Sequence, residues 1–366
     1  MIKPLPVIVL TLFLQILAVS VGYTQESEPL QKVSTSVGIY DVQSPDDIHK
    51  FSANEVRQLV HLENARPQGP GILPHPVLVY CFEEKTFRYT GGKYQDAEIK
   101  YRLHSPKTIR YGRKYPLVIH LHGSGESGSD NTFSLIYLHA ILPLLIGQEQ
   151  QDFFLLVAQC PQETPHWSFN SSKDGTLDIV MALREHLVAD NPIDKKRITV
   201  TGISSGGYGT WELIQRYPDM FAGAVPVNCN APHQFRPRAT LKHTPVWTYV
   251  YSGDLDGKVN LETIQTAMHA INDSGGSMAY TVPGSTGRIA WGHPMEDYFR
   301  WMLAQKKGSW FSTPPGVWVN NKPYPSYLVF LMFVLPLALI VFLAWGTICE
   351  QVSAAYQSMC KWFSHD

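Results

Sequence analysis

The residues best suited to covalent chemistry lie in Arg197–Trp211, RITVTGISSGGYGTW. Gly202-Ile203-Ser204-Ser205-Gly206 fits G-x-S-x-G, and Gly207 and Gly209 follow. A serine hydroxyl attacks a carbonyl only when it is exposed, oriented and paired with a base. The neighbouring residues supply the orientation. Ile198 and Val200 alternate with Thr199 and Thr201, the β-branched pattern of a short buried strand. Thr210–Tyr217 has helix-forming content. Strand, sharp turn and helix in that order put Ser204 at the tip of the turn. Gly202 and Gly206 remove the Cβ atoms that would clash there. The helix then aims its N-terminal N–H groups at the site, where an oxyanion would form. A Gly/Ser-rich turn without chemistry has the same composition, so the flanking chain must decide.

The elements that would hold such a turn alternate along the chain. Val77–Phe82, Phe87–Tyr89 and Glu98–Leu103 are expected strands, with the turn Thr90-Gly91-Gly92 between the last two. Tyr115–Leu121, YPLVIHL, is almost wholly apolar, as a strand covered on both faces is. Phe153–Val157, Phe221–Val227, Val246–Tyr251 and Ala279–Val282 are further strands. Gly175–Leu187, Leu261–Asn272 and Met295–Leu303 are helices, His269 lying on the surface of the second. This order predicts an α/β fold: a mostly parallel sheet with helices on both faces and functional residues at the carboxyl ends of the strands. Upstream, Ser52-x-x-Glu55 is a capping box before Val56, Leu59, Val60 and Leu62. Pro67–Pro76 is a linker-like run in which no helix persists.

Four stretches now carry a family resemblance: LVIHLHGSGESGSDN (Leu117–Asn131), VAQCP (Val157–Pro161) followed by Trp167, GISSGGYGTW (Gly202–Trp211) and SGDLDGKV (Ser252–Val259). Their residues and order resemble an α/β-hydrolase. Within that fold they are similar to the secreted esterase, feruloyl-esterase and polyhydroxybutyrate-depolymerase-like group, also called prolyl-oligopeptidase-like or phospholipase/carboxylesterase. The resemblance spans Arg102–Lys307 and weakens after Gly284. It implies a catalytic triad with Ser204 as nucleophile and the acid ahead of the histidine. It makes His122-Gly123 the oxyanion loop, with the N–H groups of Ser124 and Ser205 as the two donors. His122 itself is expected to be structural, and His120 to point the other way and pack. The family register places the acid at Asp256, with Asp254 as a turn residue that caps its own backbone. The histidine usually follows the strand that is here Ala279–Val282, where the chain reads Pro283-Gly284-Ser285-Thr286-Gly287-Arg288. Gly292-His293-Pro294 stands close by. Two readings follow. A rearranged loop lets His293 reach Ser204, or the histidine is lost and the domain is a degenerate hydrolase. The first is favoured because the Gly-His pair opens the right helix.

Both chain ends suggest membrane targeting. Lys3 and the apolar Val7–Val19 precede small-residue cleavage sites near Ala18–Gly22, as in a signal peptide. Ser326–Cys349 is apolar throughout and long enough to cross a bilayer, Pro336 being tolerable there. The expected organisation is signal peptide 1–22, N-terminal extension and linker 23–76, hydrolase domain 77–310, stalk 311–325, transmembrane helix 326–349 and cytoplasmic tail 350–366. Lys306, Lys307 and Lys322 precede the span and only Lys361 follows it, against the positive-inside rule. The N-terminal signal is taken to dominate, leaving the catalytic domain extracytoplasmic.

With 30 basic and 31 acidic residues, the balance argues against nucleic acid as a partner. No zinc-like ligand spacing and no phosphate-binding glycine loop occur, so no cofactor is implied. Cys81, Cys160 and Cys229 are an odd number for the ectodomain, and their spacing does not settle pairing. Asn170 and Asn272 begin sequons. The loop Gln162–Lys173, with His166, Trp167 and Phe169, is a candidate pocket wall, a core tryptophan being the alternative. Three functions compete: an ester hydrolase acting on a small or polymeric ester, a serine peptidase of prolyl-oligopeptidase type, and a binding module that kept the fold.

Overall fold

The computed structural model describes residues 52, 55–56, 58–60, 74–146, 152–162, 167, 176–232, 239–250, 259–282, 293–308, 318–319 and 322–323. The expected signal peptide, Asp254, Asp256, His166, Phe169, Asn170, the span 326–349 and the tail 350–366 lie outside these residues.

The first described turn bears out its capping box. Glu55 N–H donates to the Ser52 hydroxyl at 3.3 Å, and Ser52 N–H donates back to the Glu55 carboxylate at 2.7 Å. The next element is a correction. Pro76–Tyr80 is a short helix, α1, rather than the start of a strand. Pro76 opens it with its φ already helical, and His75 Nδ1 accepts the Val77 N–H at 3.2 Å. These local caps outweigh the β-branched content of PVLVY.

The domain is built on an eight-stranded sheet in the order β1-β2-β4-β3-β5-β6-β7-β8. β1 (Glu83–Gly91) and β2 (Tyr94–His104) form an antiparallel hairpin, with Gly92 at positive φ in the turn. β2 runs antiparallel to β4 (Phe154–Gln159). From there β3 (Tyr115–Leu121), β5 (Ile193–Ile203), β6 (Gly223–Val227), β7 (Val246–Tyr249) and β8 (Met278–Thr281) continue in parallel. The mostly parallel sheet is therefore as the alternation of elements predicts. All residues of β3, β4, β6 and β7 are buried, which is why those segments read as unbroken apolar runs.

Both faces are covered. Leu117, Ile119, Leu121, Ile198 and Val200 share a core with α2 (Thr176–Asp190), α3 (Ser205–Arg216) and α4 (Leu261–Asp273). On the opposite face, Trp247 and Tyr249 of β7 meet α5 (His293–Ala304) through Trp301 and Tyr298, with ring centroids 5.7 and 5.4 Å apart. Within the expected stalk, Trp318–Val319 and Lys322–Pro323 form an antiparallel pair. Among the described residues no helix is long and apolar enough to cross a membrane.

Candidate active site

β5 ends between β3 and β6, with Gly202 opposite Leu121 and Ile203 opposite Val227. The chain then reverses into α3 through one residue. Ser204 has φ 51° and ψ −113°, a left-handed conformation that a side chain adopts at a cost of about 1–3 kcal/mol. Two backbone bonds hold it there. Its N–H donates to Val227 O at 2.9 Å, and its carbonyl accepts from Tyr208 N–H at 3.1 Å. The side chain stands exposed while Ser205, Gly206 and Gly207 are buried.

The glycines are steric necessities. A Cβ on Gly202 would lie 2.4 Å from the Gly206 carbonyl oxygen, and one on Gly206 would lie 2.0 Å from Leu121 O. This closeness brings the turn against the loop that follows β3. Ser205 Oγ points to His122 O at 3.5 Å, and a Cβ on Gly123 would meet Ile203 O at 3.6 Å. Ser205 opens α3, whose first-turn N–H groups have no acceptor within the helix. Ser124 opens a 3-10 turn, Ser124–Glu126, and is exposed. The two expected donors thus sit on adjoining segments.

His122 is structural, as expected, and its tautomer follows from its partners. Nε2 accepts the Cys160 N–H at 2.9 Å, so Nδ1 carries the proton and donates to Gly123 O at 2.6 Å. Burial pushes the ring down to about 4, while the Gly123 bond acts the other way. With both nitrogens engaged it has no lone pair to take a proton from Ser204. His120, in β3 two residues before His122, is buried.

Trp167 is fully buried rather than a pocket wall. Its ring packs on His122 with centroids 5.0 Å apart, its Nε1–H donates to His122 O at 2.8 Å, and its Cβ is 2.8 Å from where a Gly209 Cβ would be. The tail of the HGSGESGSDN stretch is likewise structural. Asn131, at φ 55°, donates from Nδ2 to Lys85 O and Tyr101 O and so clasps the β1–β2 hairpin. Gln159 links Asn131 N–H, Glu126 O and Asp130.

Three further residues at this edge were given no role by the sequence, although Cys160 and Glu126 lie within the stretches that carry the resemblance. Asn228, after β6, is at φ 49°, and its N–H donates to Tyr249 O at 2.8 Å. Cys160 fixes His122 through its backbone. Glu126 is a carboxyl buried within the loop that follows β3. Of the expected triad partners, only the backbone of His293 falls among the described residues. Asp254 and Asp256 follow β7 and lie outside the described residues. His293 is the first residue of α5, which places its backbone, and its side chain lies outside the description. Among the described residues Cys81, Cys160 and Cys229 form no disulfide, and no group of His, Cys, Asp or Glu could hold a metal ion. Asn272 of the second sequon binds the Met278 backbone at 2.7 Å through Oδ1 and 3.2 Å through Nδ2.

Comparison with known proteins agrees with this architecture. Residues 167–274 match the prolyl oligopeptidase family. An uncharacterized secreted protein of Arthroderma benhamiae is 26% identical over 222 residues, 57% of this chain and 21% of that protein. Poly(3-hydroxyalkanoate) depolymerase C of Paucimonas lemoignei is 42% identical over 43 residues, 12% of this chain and 10% of that protein. A thermostable esterase of known structure superposes with a TM-score of 0.52 at 26% identity, covering 63% of this chain and 64% of that one. The chain therefore spans about a fifth and a tenth of these two curated relatives. With the parallel sheet and the strained serine turn already described, these likenesses support the α/β-hydrolase fold, and the chain is similar in part to the prolyl oligopeptidase family and to an esterase.

Proposed function

We propose that the protein hydrolyses carboxylic esters through an acyl-enzyme formed on Ser204. The observation that carries this reading is the backbone of Ser204: an exposed hydroxyl held at positive φ, between the carboxyl ends of β3 and β6 and at the N-terminus of α3. Such strain persists only where the surrounding packing enforces it, and it clusters at functional turns. In the proposed mechanism His293 takes the Ser204 proton as Oγ attacks the ester carbonyl. Asp256 orients the imidazole and stabilises its charged form. The N–H groups of Ser124 and Ser205 hold the tetrahedral oxyanion, each worth about 3 kcal/mol. The alcohol leaves with the proton from His293, and water repeats the sequence on the acyl-enzyme. The similarity to a thermostable esterase and to a depolymerase of polyhydroxyalkanoate supports an ester, small or polymeric, as substrate.

A serine peptidase is the second reading, favoured by the prolyl oligopeptidase match over residues 167–274. We further propose that segment 326–349 anchors the domain in a membrane with the catalytic side extracytoplasmic. Its support is the apolar sequence together with the signal-like N-terminus.

Purified protein should turn over a short p-nitrophenyl ester and ignore a peptide amide, with Ser204→Ala and His293→Ala both inactive. Preference for the amide would install the peptidase reading. A folded protein that neither turns over the ester nor reacts with a fluorophosphonate probe would leave the binding module.

A further inference from the structure

Among the described residues, the exposed large apolar side chains are Ile109, Tyr111, Met220 and Leu261. The first three share one pole of the domain, the amino ends of the parallel strands. Ile109 and Tyr111 lie in the loop between β2 and β3, and Met220 lies in the turn that leads into β6. Scattered single apolar residues are ordinary on a surface, but a group at one end calls for a partner. The Tyr111 turn is firmly built. Arg113 N–H donates to Arg110 O at 3.1 Å, and Gly112 at φ 74° makes the corner. The hydroxyl of Tyr115, whose ring is fully buried, accepts Arg110 N–H at 2.9 Å and donates to Thr108 O at 3.1 Å. The guanidinium of Arg113 lies over the same ring, 5.1 Å from its centroid. This frame holds Tyr111 entirely in water.

The same pole is basic. Segment 105–114 carries Lys107, Arg110, Arg113 and Lys114, all exposed, and no acid. Lys195 and Lys196 are exposed where β5 begins, next to Tyr115, whose N–H donates to Pro192 O at 2.8 Å. The end of α5 adds exposed Lys306, and Lys307 N–H donates to Lys196 O at 2.7 Å. The described carboxylates close by are fewer. Asp152 lies 3.6 Å from Arg113, Asp219 lies 3.6 Å from Lys307, and Asp190 and Asp194 flank the start of β5. Cations therefore predominate here, although the whole chain is nearly balanced, with 30 basic and 31 acidic residues. The chain also leaves the domain at this pole. Gln305 Cγ lies 3.1 Å from where a Cβ would stand on Gly223, the first residue of β6. Gly308 follows, and segment 309–325 then leads to the apolar segment 326–349. Ser204 stands beyond the other end of β5.

We propose that this pole is a docking surface for an anionic lipid bilayer. Its lysines and arginines meet the headgroups, Tyr111, Ile109 and Met220 enter the interfacial layer, and the Ser204 turn faces away into bulk solvent. The orientation rests on the reading of segment 326–349 as an anchor; the affinity for an anionic surface does not. Lipid fits on three counts. A negative membrane surface attracts exposed Lys and Arg together, each adding to the others. A tyrosine has an apolar body and a polar tip, which suits the boundary between headgroups and acyl chains. A tether that leaves the domain beside the patch keeps the patch close to the bilayer, so weak contacts are enough to hold it there. The parallel strands then run from the bilayer toward the site, and substrate reaches Ser204 from the aqueous side.

The test is hydroxyl-radical footprinting of the full chain, read by mass spectrometry, in nanodiscs of phosphatidylcholine alone and of phosphatidylcholine with about 30% phosphatidylglycerol. Tyr111 and Met220 should oxidise about fivefold more slowly in the anionic discs than in the neutral ones. Tyr94, which opens β2 at the opposite end of the sheet, should oxidise at one rate in both. About 0.5 M NaCl should remove the difference, because it screens the headgroup charge. The exposed triple variant Lys107→Glu, Arg110→Glu, Lys114→Glu should remove it too, with an unchanged circular dichroism spectrum. A chain retained in both discs whose Tyr111 oxidises at one rate would overturn the docking surface and leave the anchor standing. Equal slowing in neutral and anionic discs would also overturn it, since a second copy of the chain or another partner would then cover the pole. A chain that enters neither disc, yet shows the slowing with phosphatidylglycerol-containing vesicles, would end the anchor reading and uphold the surface. A chain that neither enters the discs nor shows the slowing would end both.

Discussion

The indole N–H of Trp167 donates to the carbonyl of His122 at 2.8 Å, across 45 residues of chain. That bond ties a residue between β4 and α2 to the loop between β3 and the Ser124 turn. Trp167→Phe keeps most of the buried ring and removes the donor. It should cost about 1 kcal/mol, the net worth of one buried hydrogen bond, since Ser205 Oγ stays 3.5 Å from the same carbonyl. Thermal melts should show the loss. If the proposed mechanism holds, ester turnover should fall more than binding, because the bond lies beside the proposed oxyanion donors Ser124 and Ser205.

Gly206 and Gly125 separate steric need from mere composition. A methyl on Gly206 would stand 2.0 Å from the Leu121 carbonyl oxygen, whereas one on Gly125 would meet nothing within 4 Å. Gly206→Ala should therefore destabilise by more than about 4 kcal/mol or prevent folding. Gly125→Ala should stay within about 0.5 kcal/mol of wild type. Chemical denaturation of the two variants side by side checks the contrast.

Ser204→Gly should be more stable than wild type and inactive. At φ 51° and ψ −113° a glycine relieves strain that serine carries, a gain of about 1 kcal/mol. Ser204→Ala should be equally inactive with no such gain. A melting temperature for the glycine variant at or below that of the alanine variant would count against strain at this turn.

The pH dependence of stability follows from buried histidines. Burial pushes His104 and His122 down to about 4 and His120 to about 3. Each is neutral in the folded chain at pH values where the unfolded chain binds a proton. Stability is therefore full above the unfolded value of 6.5 and is lost as pH falls toward the folded values. At pH 5 each histidine contributes a loss of about 2 kcal/mol. Glu126 acts in the opposite direction. Raised from 4.5 to about 7, its contribution is full below 4.5 and is lost as pH rises through 7. Three histidines outweigh one carboxyl in the overlap, so melting temperature should climb from pH 4.5 to 6.5. Glu126→Gln should steepen that climb and flatten the curve above it.

The parts of the fold that were legible in the sequence are those where burial alone sets the pattern. YPLVIHL became β3 residue for residue because both its faces are covered. The serine turn was legible because glycine is the only residue its backbone contacts admit at 202 and 206. Other features depended on partners distant in sequence. β5 begins at Ile193, through the polar Asp194-Lys195-Lys196-Arg197, because Tyr115 pairs with Ile193. PVLVY is apolar enough for a strand, yet His75 and Pro76 make it a helix. Trp167 left pocket wall and core equally open until its indole met His122. Glu126, although inside the Leu117–Asn131 stretch, was given no role, since one acid in a Gly/Ser loop looks solvated until Gln159 and the loop fold over it. Asp256 rests on motif register, and the side chain of His293 rests on the Gly-His pair at the head of α5.

The crowding around the serine turn has an evolutionary consequence. A Cβ at Gly202 or Gly206 strikes main chain, one at Gly207 comes 2.6 Å from Cys229 Sγ, and one at Gly209 comes 2.8 Å from Trp167 Cβ. These four positions are held by packing, independent of any bond broken or formed at Ser204. A descendant that lost its chemistry would still have to keep glycine at each of them in order to fold. Among diverging copies of this gene the glycine spacing should outlast the serine, the histidine and the acid. Its persistence records ancestry of shape, and the hydroxyl between the glycines is the position that drifts first once selection for turnover is relaxed.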